Sequence, residues 1–232
     1  MNPQLWRGQL FLFDKPSKPA WSSIQGYRLL AVFLTMEFGL RPLLRRSHLP
    51  QLAAMIVLTG AAIVLAAALA GIHPSELGLH RWSRWSPTEK FYFPQILAIS
   101  TAIFCAANWV DLRALGARHD LWRIAAVVFV AQMVWGFYQE LLYRGILQSE
   151  LVRRWGAPAG MVASNLVFTF GPLHFYHFAQ ARAHPSHLWI FAAIFAVGMY
   201  FALAFQRSGN LWIVGPLHGL GDFFIDGLPQ IR

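Results

Sequence analysis

The sequence is poor in two kinds of residue that most soluble proteins use freely. Only 12% of its 232 residues are charged, and it has one cysteine, Cys105. A low charged fraction beside 56% hydrophobic residues excludes an ordinary soluble domain. A single cysteine excludes an intramolecular disulfide framework and a cysteine-based metal site. The chain is therefore expected to lie in a membrane and to draw its chemistry from other side chains.

Long uncharged runs are what the sequence has instead. Leu52–Ile72 is 21 residues without a charge, enough to cross a hydrocarbon core of roughly 30 Å as a helix. The sequence predicts an all-α, polytopic membrane helical bundle of about seven transmembrane spans. Residues 1–28 are predicted to be an N-terminal interfacial segment and 29–232 the transmembrane helical domain. The other six predicted spans are Leu29–Leu44, Phe91–Val110, Ile124–Leu151, Ala157–Phe178, Leu188–Phe205 and Leu211–Ile225.

The net charge of +9 comes from 19 Lys and Arg against 10 Asp and Glu. These basic residues lie mostly in short loops beside apolar segments, as at Arg45–Arg46 and Arg153–Arg154. That placement predicts anchoring to lipid headgroups rather than a nucleic-acid partner. The Arg-, Trp- and Ala-rich composition favours a bacterial inner membrane.

Three polar patches lie inside the late apolar segments, where each charge costs about 3 kcal/mol on insertion scales. In the first patch, Glu140 and Arg144 are four residues apart, so they share a helix face and can form an ion pair. The pair could serve structure alone. Gln139 lies beside Glu140.

The second patch is Phe170-x-x-x-His174, and the third is His218-x-x-x-Asp222. Taken singly, His174 could be a satisfied core histidine, and His218 could make only a local bond to Asp222. Taken together, three separate helices that each carry such a group favour one shared polar cavity. A carboxylate with a histidine can deprotonate a water, and a second histidine can stabilise an oxyanion.

Metal binding by Glu140, His174 and His218 is the open alternative, with a divalent ion such as zinc. The sequence contains no H-E-x-x-H pair that would make zinc the default. It also contains no G-x-S-x-G motif, which disfavours a serine hydrolase. The expectation is that no cofactor is needed.

The three patches in this order resemble the CPBP family (CAAX-protease and bacteriocin-processing proteins), which are intramembrane endopeptidases. The family pattern is E-E-x-x-x-R, then F-x-x-x-H, then H-x-x-x-N or H-x-x-x-D. Here QELLYRG at 139–145, Phe170 to His174 and His218 to Asp222 match it over about residues 120–225, and LGLHRW at 77–82 is similar to the family's upstream loop.

The resemblance implies that the first glutamate of the family's pair, the position of Gln139 here, and the first histidine, His174, activate a water that attacks the scissile amide. It implies that His218 and Asp222 bind the oxyanion and that Arg144 orients the acidic pair, with Tyr143 and Phe170 as supporting residues. The expected partners are a membrane-associated protein or peptide substrate and the lipid bilayer.

One position departs from the family pattern, because Gln139 stands where the first glutamate is expected. An amide cannot act as a general base. Glu140 could have taken over as base, the two residues could share the work, or the chain could bind peptides without cutting them. Adjacent helical residues point about 100° apart, so Glu140 cannot take the first glutamate's place without a local rotation.

The hypothesis that these features favour is an intramembrane endopeptidase. The alternative is a catalytically impaired homologue that acts as a membrane peptide-binding or immunity-type protein. A small transporter would use similar buried acids and histidines, but the two halves of the chain lack the internal symmetry that is common in transporters.

Overall fold

The structure is a computed structural model that describes residues 19, 21–117 and 121–231. Most of the predicted interfacial segment, residues 1–28, lies outside the described residues. The first described helix begins at Ser23, and no strand occurs in the described ranges. The predicted all-α class is confirmed.

Eleven α-helices are described, and several are extended by π-helical turns. In chain order the α-helices are α1 (Ser23–Leu34), α2 (Arg41–Arg45), α3 (Gln51–Ala70), α4 (Pro87–Ala107), α5 (Trp109–Gly116), α6 (Trp122–Glu140), α7 (Ser149–Trp155), α8 (Ala157–Phe170), α9 (Phe175–Ala183), α10 (Trp189–Ser208) and α11 (Leu211–Asp222). The π-helical segments are Thr35–Leu40 between α1 and α2, Leu141–Gln148 between α6 and α7, and Phe223–Gly227 after α11.

Among the described residues, four helical stretches are long and apolar enough to cross a membrane. They are Gln51–Ala70, Pro87–Ala107, Trp122–Trp155 and Pro185–Ser208. Large apolar side chains on their outer faces are exposed, among them Val64, Ile103 and Val127, as expected for surfaces that meet lipid. The chain is therefore an integral membrane protein. The other three predicted spans correspond to α1 with its extensions, α8 and α11, which fall short of these criteria.

The longest candidate span, Trp122–Trp155, is also the most buried of the four: 44% of the residues in its most apolar stretch are buried inside the protein. Its middle part, the π-helical segment Leu141–Gln148, is buried at every residue. Helices α3, α8 and α11 pack around this π-helical segment and around α6 and α7, the helices on either side of it. The first polar patch therefore lies at the centre of the bundle.

Two glycines allow the backbones of α6 and α11 to come into direct contact. A Cβ on Gly136 would lie 2.6 Å from the Cα of Gly219, and one on Gly219 would lie 2.6 Å from the Cα of Met133. Real Cβ atoms do not come so close, so any side chain here would push the helices apart. Small residues in membrane helices permit this kind of packing. The contact brings the end of α6 beside His218.

The start of α11 is held by two polar contacts from earlier in the chain. Asn210 caps α11 through a hydrogen bond from Trp212 N to its Oδ1 (3.1 Å), and its Nδ2 donates to Glu89 Oε1 of α4 (3.0 Å). The amide of Leu211 donates to the carbonyl of Gly78 (2.9 Å). Gly78 has a φ of 95°, a conformation that glycine adopts without strain. The loop that contains LGLHRW is thus packed against the helix that carries the third motif.

Candidate active site

The first and third motifs meet through two hydrogen bonds between α6 and α11. Gln139 Nε2 donates to Asp222 Oδ2 at 2.9 Å, and His218 Nδ1 lies 2.7 Å from Glu140 Oε1. Gln139 and Glu140 are the last two residues of α6, just before the helix widens into its π-helical segment. Such π-helical turns occur often at functional sites. Although Gln139 and Glu140 are neighbours in sequence, they contact different residues of α11: Gln139 contacts Asp222, and Glu140 contacts His218.

Arg144 pairs with Glu140 and joins the site to two further helices. Its Nε lies 3.3 Å from Glu140 Oε2, and both side chains are fully buried. Its Nη2 donates to Asn165 Oδ1 on α8 (3.3 Å) and to the carbonyl of Gly198 on α10 (3.0 Å). The ion pair that the spacing predicts is present. Asn165 was not predicted, although an asparagine inside an apolar helix is a usable signal.

His218 and Asp222 share a face of α11, as their spacing predicts. His218 Nε2 lies 3.6 Å from Asp222 Oδ1, and the side chains are 10% and 17% exposed. That separation is longer than a direct hydrogen bond. Of the two carboxylates in the site, Asp222 is the more open and Glu140 is wholly enclosed.

His174 lies across an aromatic ring from His218. It ends a 3₁₀ turn, Pro172–His174, and its Nδ1 is 2.7 Å from the carbonyl oxygen of Phe168. The Phe168 ring contacts His174 (centroids 4.9 Å apart) and His218 (5.8 Å). The structure therefore brings the second motif to the edge of the polar cluster, with Phe168 between the two histidines.

The two aromatic residues that the resemblance implies as supporting lie in different surroundings. Phe170 is 43% exposed, and its ring stacks on Phe191 with centroids 5.4 Å apart, outside the polar cluster. Tyr143 is fully buried, and its hydroxyl donates to Glu37 at 3.0 Å. The aromatic ring at the cluster is that of Phe168, which sequence reasoning missed.

Within the described residues, the three side chains weighed as metal ligands, Glu140, His174 and His218, do not come together as a metal-binding group. Within the described ranges, no group of three or more His, Cys, Asp or Glu residues could hold a metal ion. Of the carboxylate oxygens of Glu140, Oε1 faces His218 and Oε2 faces Arg144. The absence of a cofactor stays a prediction.

A cavity of about 490 Å³ is lined by sequence neighbours of two of the site residues. Its wall includes Leu173, which precedes His174, and Asp226, one helical turn beyond Asp222. The remaining lining is partly apolar and partly polar: Arg41, Leu44, Arg45, Gln51, Ala54, Met55, Leu58, Gln132, Trp135, Tyr176 and Gln230. A volume of this size falls in the range of ligand pockets.

Comparison with known proteins gives one match. The family model described as "Type II CAAX prenyl endopeptidase Rce1-like" matches residues 119–224, which contain all three motifs. No curated protein and no solved structure matches the chain. The matched region covers the segment that the motifs delimit, about 120–225. Residues 119–224, a little under half of the chain, are thus similar to the CAAX-type intramembrane proteases, the family that the three motifs predict.

Proposed function

We propose that this protein is an active intramembrane endopeptidase that hydrolyses a peptide bond of a membrane-associated protein or peptide. One observation carries the proposal: two hydrogen bonds join Gln139 and Glu140 to Asp222 and His218 inside an otherwise apolar bundle. His174, one aromatic ring away, completes the proposed catalytic site.

The cost of burying these groups supports a catalytic role. Ionisable side chains inside a membrane bundle are expensive and are kept mainly for function. Structure alone would be served by the pair of Glu140 and Arg144, which balances its own charge. Asp222 and His218 add a further carboxylate and a base that this pair does not need. Together they are the groups that amide hydrolysis by an activated water requires.

The cavity supports a peptide as substrate. Its mixed lining, with Trp135 and Met55 beside Arg45 and Gln132, suits a chain that has both apolar and polar groups. The description of the matched family names a prenyl endopeptidase, so prenylated peptides are the first substrate class to test. We place the protein in a bacterial inner membrane on its composition.

Gln139 favours a second candidate, a membrane protein that binds peptides without cutting them. Its side chain can hold a carbonyl or a water but cannot remove a proton. The same cavity and cluster would then form a binding site, as in an immunity-type role. Cleavage assays separate the two candidates directly.

The test uses the full chain in liposomes with a library of membrane-tethered peptides, prenylated and unprenylated. We expect cleavage by the wild type and a loss of about 10²–10⁴-fold in His218→Ala, the range for removing a general acid–base group. His48→Ala, a change at an exposed loop histidine, is the matched control and should cleave normally. Peptides that cross-link to the wild type without being cut would favour the binding protein.

A further inference from the structure

We infer that Asp222 is the general base of this site, that His218 helps it to hold the attacking water, and that Gln139 donates a hydrogen bond to the oxyanion. The inference rests on the proposed function and assigns roles within it. In this assignment the general base lies on α11 and the oxyanion donor lies on α6. The family resemblance implies the reverse, with the base on α6 and the oxyanion donors on α11. Glu140 then becomes a positioning residue.

Glu140 is poorly placed to accept a proton from water. It is fully buried, Oε1 is bound by His218 Nδ1, and Oε2 faces Arg144 Nε. Protonating this carboxylate would leave the buried guanidinium of Arg144 without its counter-charge. Breaking a buried ion pair in that way is strongly unfavourable. The contacts of Glu140 suit a group that stays ionised throughout the reaction.

Glu140 also sets the tautomer of His218. An ionised carboxylate can only accept, so the proton of neutral His218 lies on Nδ1. The lone pair of His218 is then on Nε2, the atom that faces Asp222 at 3.6 Å. A buried carboxylate that fixes an imidazole so that its other nitrogen serves as a base is an arrangement known from hydrolases.

Two acceptors therefore face each other across 3.6 Å, His218 Nε2 and Asp222 Oδ1. A water oxygen can lie about 2.8 Å from both and donate one hydrogen to each. Such a water has its lone pairs free and its oxygen enriched in negative charge. Asp222 is also the more exposed of the two carboxylates, so it is the one that water and substrate can reach.

Asp222 can take up the proton at lower cost than Glu140. Its two partners in the site are the amide of Gln139 and the imidazole of His218. Neither is a permanent cation, so protonation of Asp222 strands no charge. Gln139 Nε2 uses one hydrogen on Asp222 Oδ2 and has a second one to donate to a developing oxyanion.

The reaction balances with these groups. The water oxygen bonds to the carbonyl carbon of the scissile amide, and its proton passes to Asp222. The carbonyl oxygen becomes the oxyanion and accepts the second hydrogen of Gln139. Asp222 then returns the proton to the amide nitrogen as the C–N bond breaks. The products are a carboxylate and an amine, and the carboxyl proton goes to solvent.

Exchanging the carboxylate of Asp222 and the amide of Gln139 between the two positions tests the assignment. In the liposome assay we expect Asp222→Asn to lower kcat by about 10²–10⁴-fold. The double variant Gln139→Glu/Asp222→Asn restores one carboxylate and one amide in the same contact, and we expect it to regain at least about tenfold over Asp222→Asn. Glu76→Gln makes the same chemical change at an exposed residue of the 3₁₀ turn Pro74–Leu77 and should leave kcat unchanged.

The outcomes separate this assignment from the proposed function. If the wild type cleaves and a folded Asp222→Asn variant cleaves equally well, the assignment is overturned while the protease stands. A folded double variant without recovered cleavage also overturns it. If the wild type cleaves nothing in the library, both proposals are rejected. Thermal unfolding in detergent verifies folding, and if Asp222→Asn does not fold, cleavage by the double variant alone decides.

Discussion

The hydroxyl of Tyr143 donates a hydrogen bond to Glu37 Oε2 at 3.0 Å, between residues 106 positions apart. Both residues lie in π-helical segments, Thr35–Leu40 and Leu141–Gln148. Glu37 is fully buried and also pairs with Arg41 at 3.0 Å. Because Tyr143 precedes Arg144, this contact ties the N-terminal helix to the segment that positions Glu140.

Removing this hydroxyl should destabilise the fold. In Tyr143→Phe the fully buried Glu37 loses a hydrogen-bond donor, which costs about 1–3 kcal/mol in the free energy of unfolding. Denaturant unfolding in detergent measures the change. Tyr27→Phe, at a tyrosine that is 62% exposed, is the matched control and should stay within about 0.5 kcal/mol. Equal effects of the two substitutions would show that the contact with Glu37 adds nothing.

A methyl group at Gly136 should disable the site without altering any polar residue. It would lie 2.6 Å from the Cα of Gly219, so α6 and α11 must separate. That movement lengthens the contacts from Glu140 to His218 and from Gln139 to Asp222. We expect Gly136→Ala to lose at least about tenfold in kcat, since small displacements at a catalytic site are costly.

The control for this substitution is Gly60→Ala in α3, where a Cβ meets no atom within 4 Å. Alanine is favoured over glycine in a helix by about 1 kcal/mol, so this variant should be as stable as the wild type or more so, with unchanged cleavage. Normal cleavage by Gly136→Ala would mean that the helices can separate without disturbing the site.

The sequence predicts contacts within one helix better than contacts between helices. The pairing of Glu140 with Arg144 follows from a spacing of four residues, because that spacing puts two side chains on one face. The hydrogen bond from Gln139 to Asp222 does not follow from any spacing. It depends on how α6 and α11 are rotated against each other, which glycine contacts decide.

The second motif, Phe170 to His174, is another case in which residue spacing does not predict the contacts of the side chains. Helical spacing indicates one face for Phe170 and His174, but α8 ends at Phe170 and Gly171–Pro172 starts a 3₁₀ turn. The helical register is lost between the two residues. As a result His174 turns back towards Phe168, and Phe170 points to Phe191.

We expect that a lysine at position 144 cannot perform the structural role of Arg144. The guanidinium reaches Glu140, Asn165 and the carbonyl of Gly198 at once, and a single ammonium cannot match that fork. Each buried acceptor that is left unpaired costs about 1–3 kcal/mol. We expect Arg144→Lys to unfold at lower denaturant and to cleave more slowly, and Arg113→Lys, at an exposed position on α5, to match the wild type. Full stability of Arg144→Lys would contradict the role of the fork.

Filling the cavity should weaken substrate binding while leaving the chemical step intact. Ala54 lies on α3 in the cavity wall, distant in sequence from every residue of the proposed catalytic site. In Ala54→Phe the ring takes up space that a peptide would need, so KM should rise by about tenfold with kcat nearly unchanged, the signature of lost ground-state binding. Ala67→Phe makes the same change on an exposed part of α3 and should leave KM as it is. If Ala54→Phe lowers kcat instead and leaves KM unchanged, the substrate reaches the site by another path and the cavity is not its binding pocket.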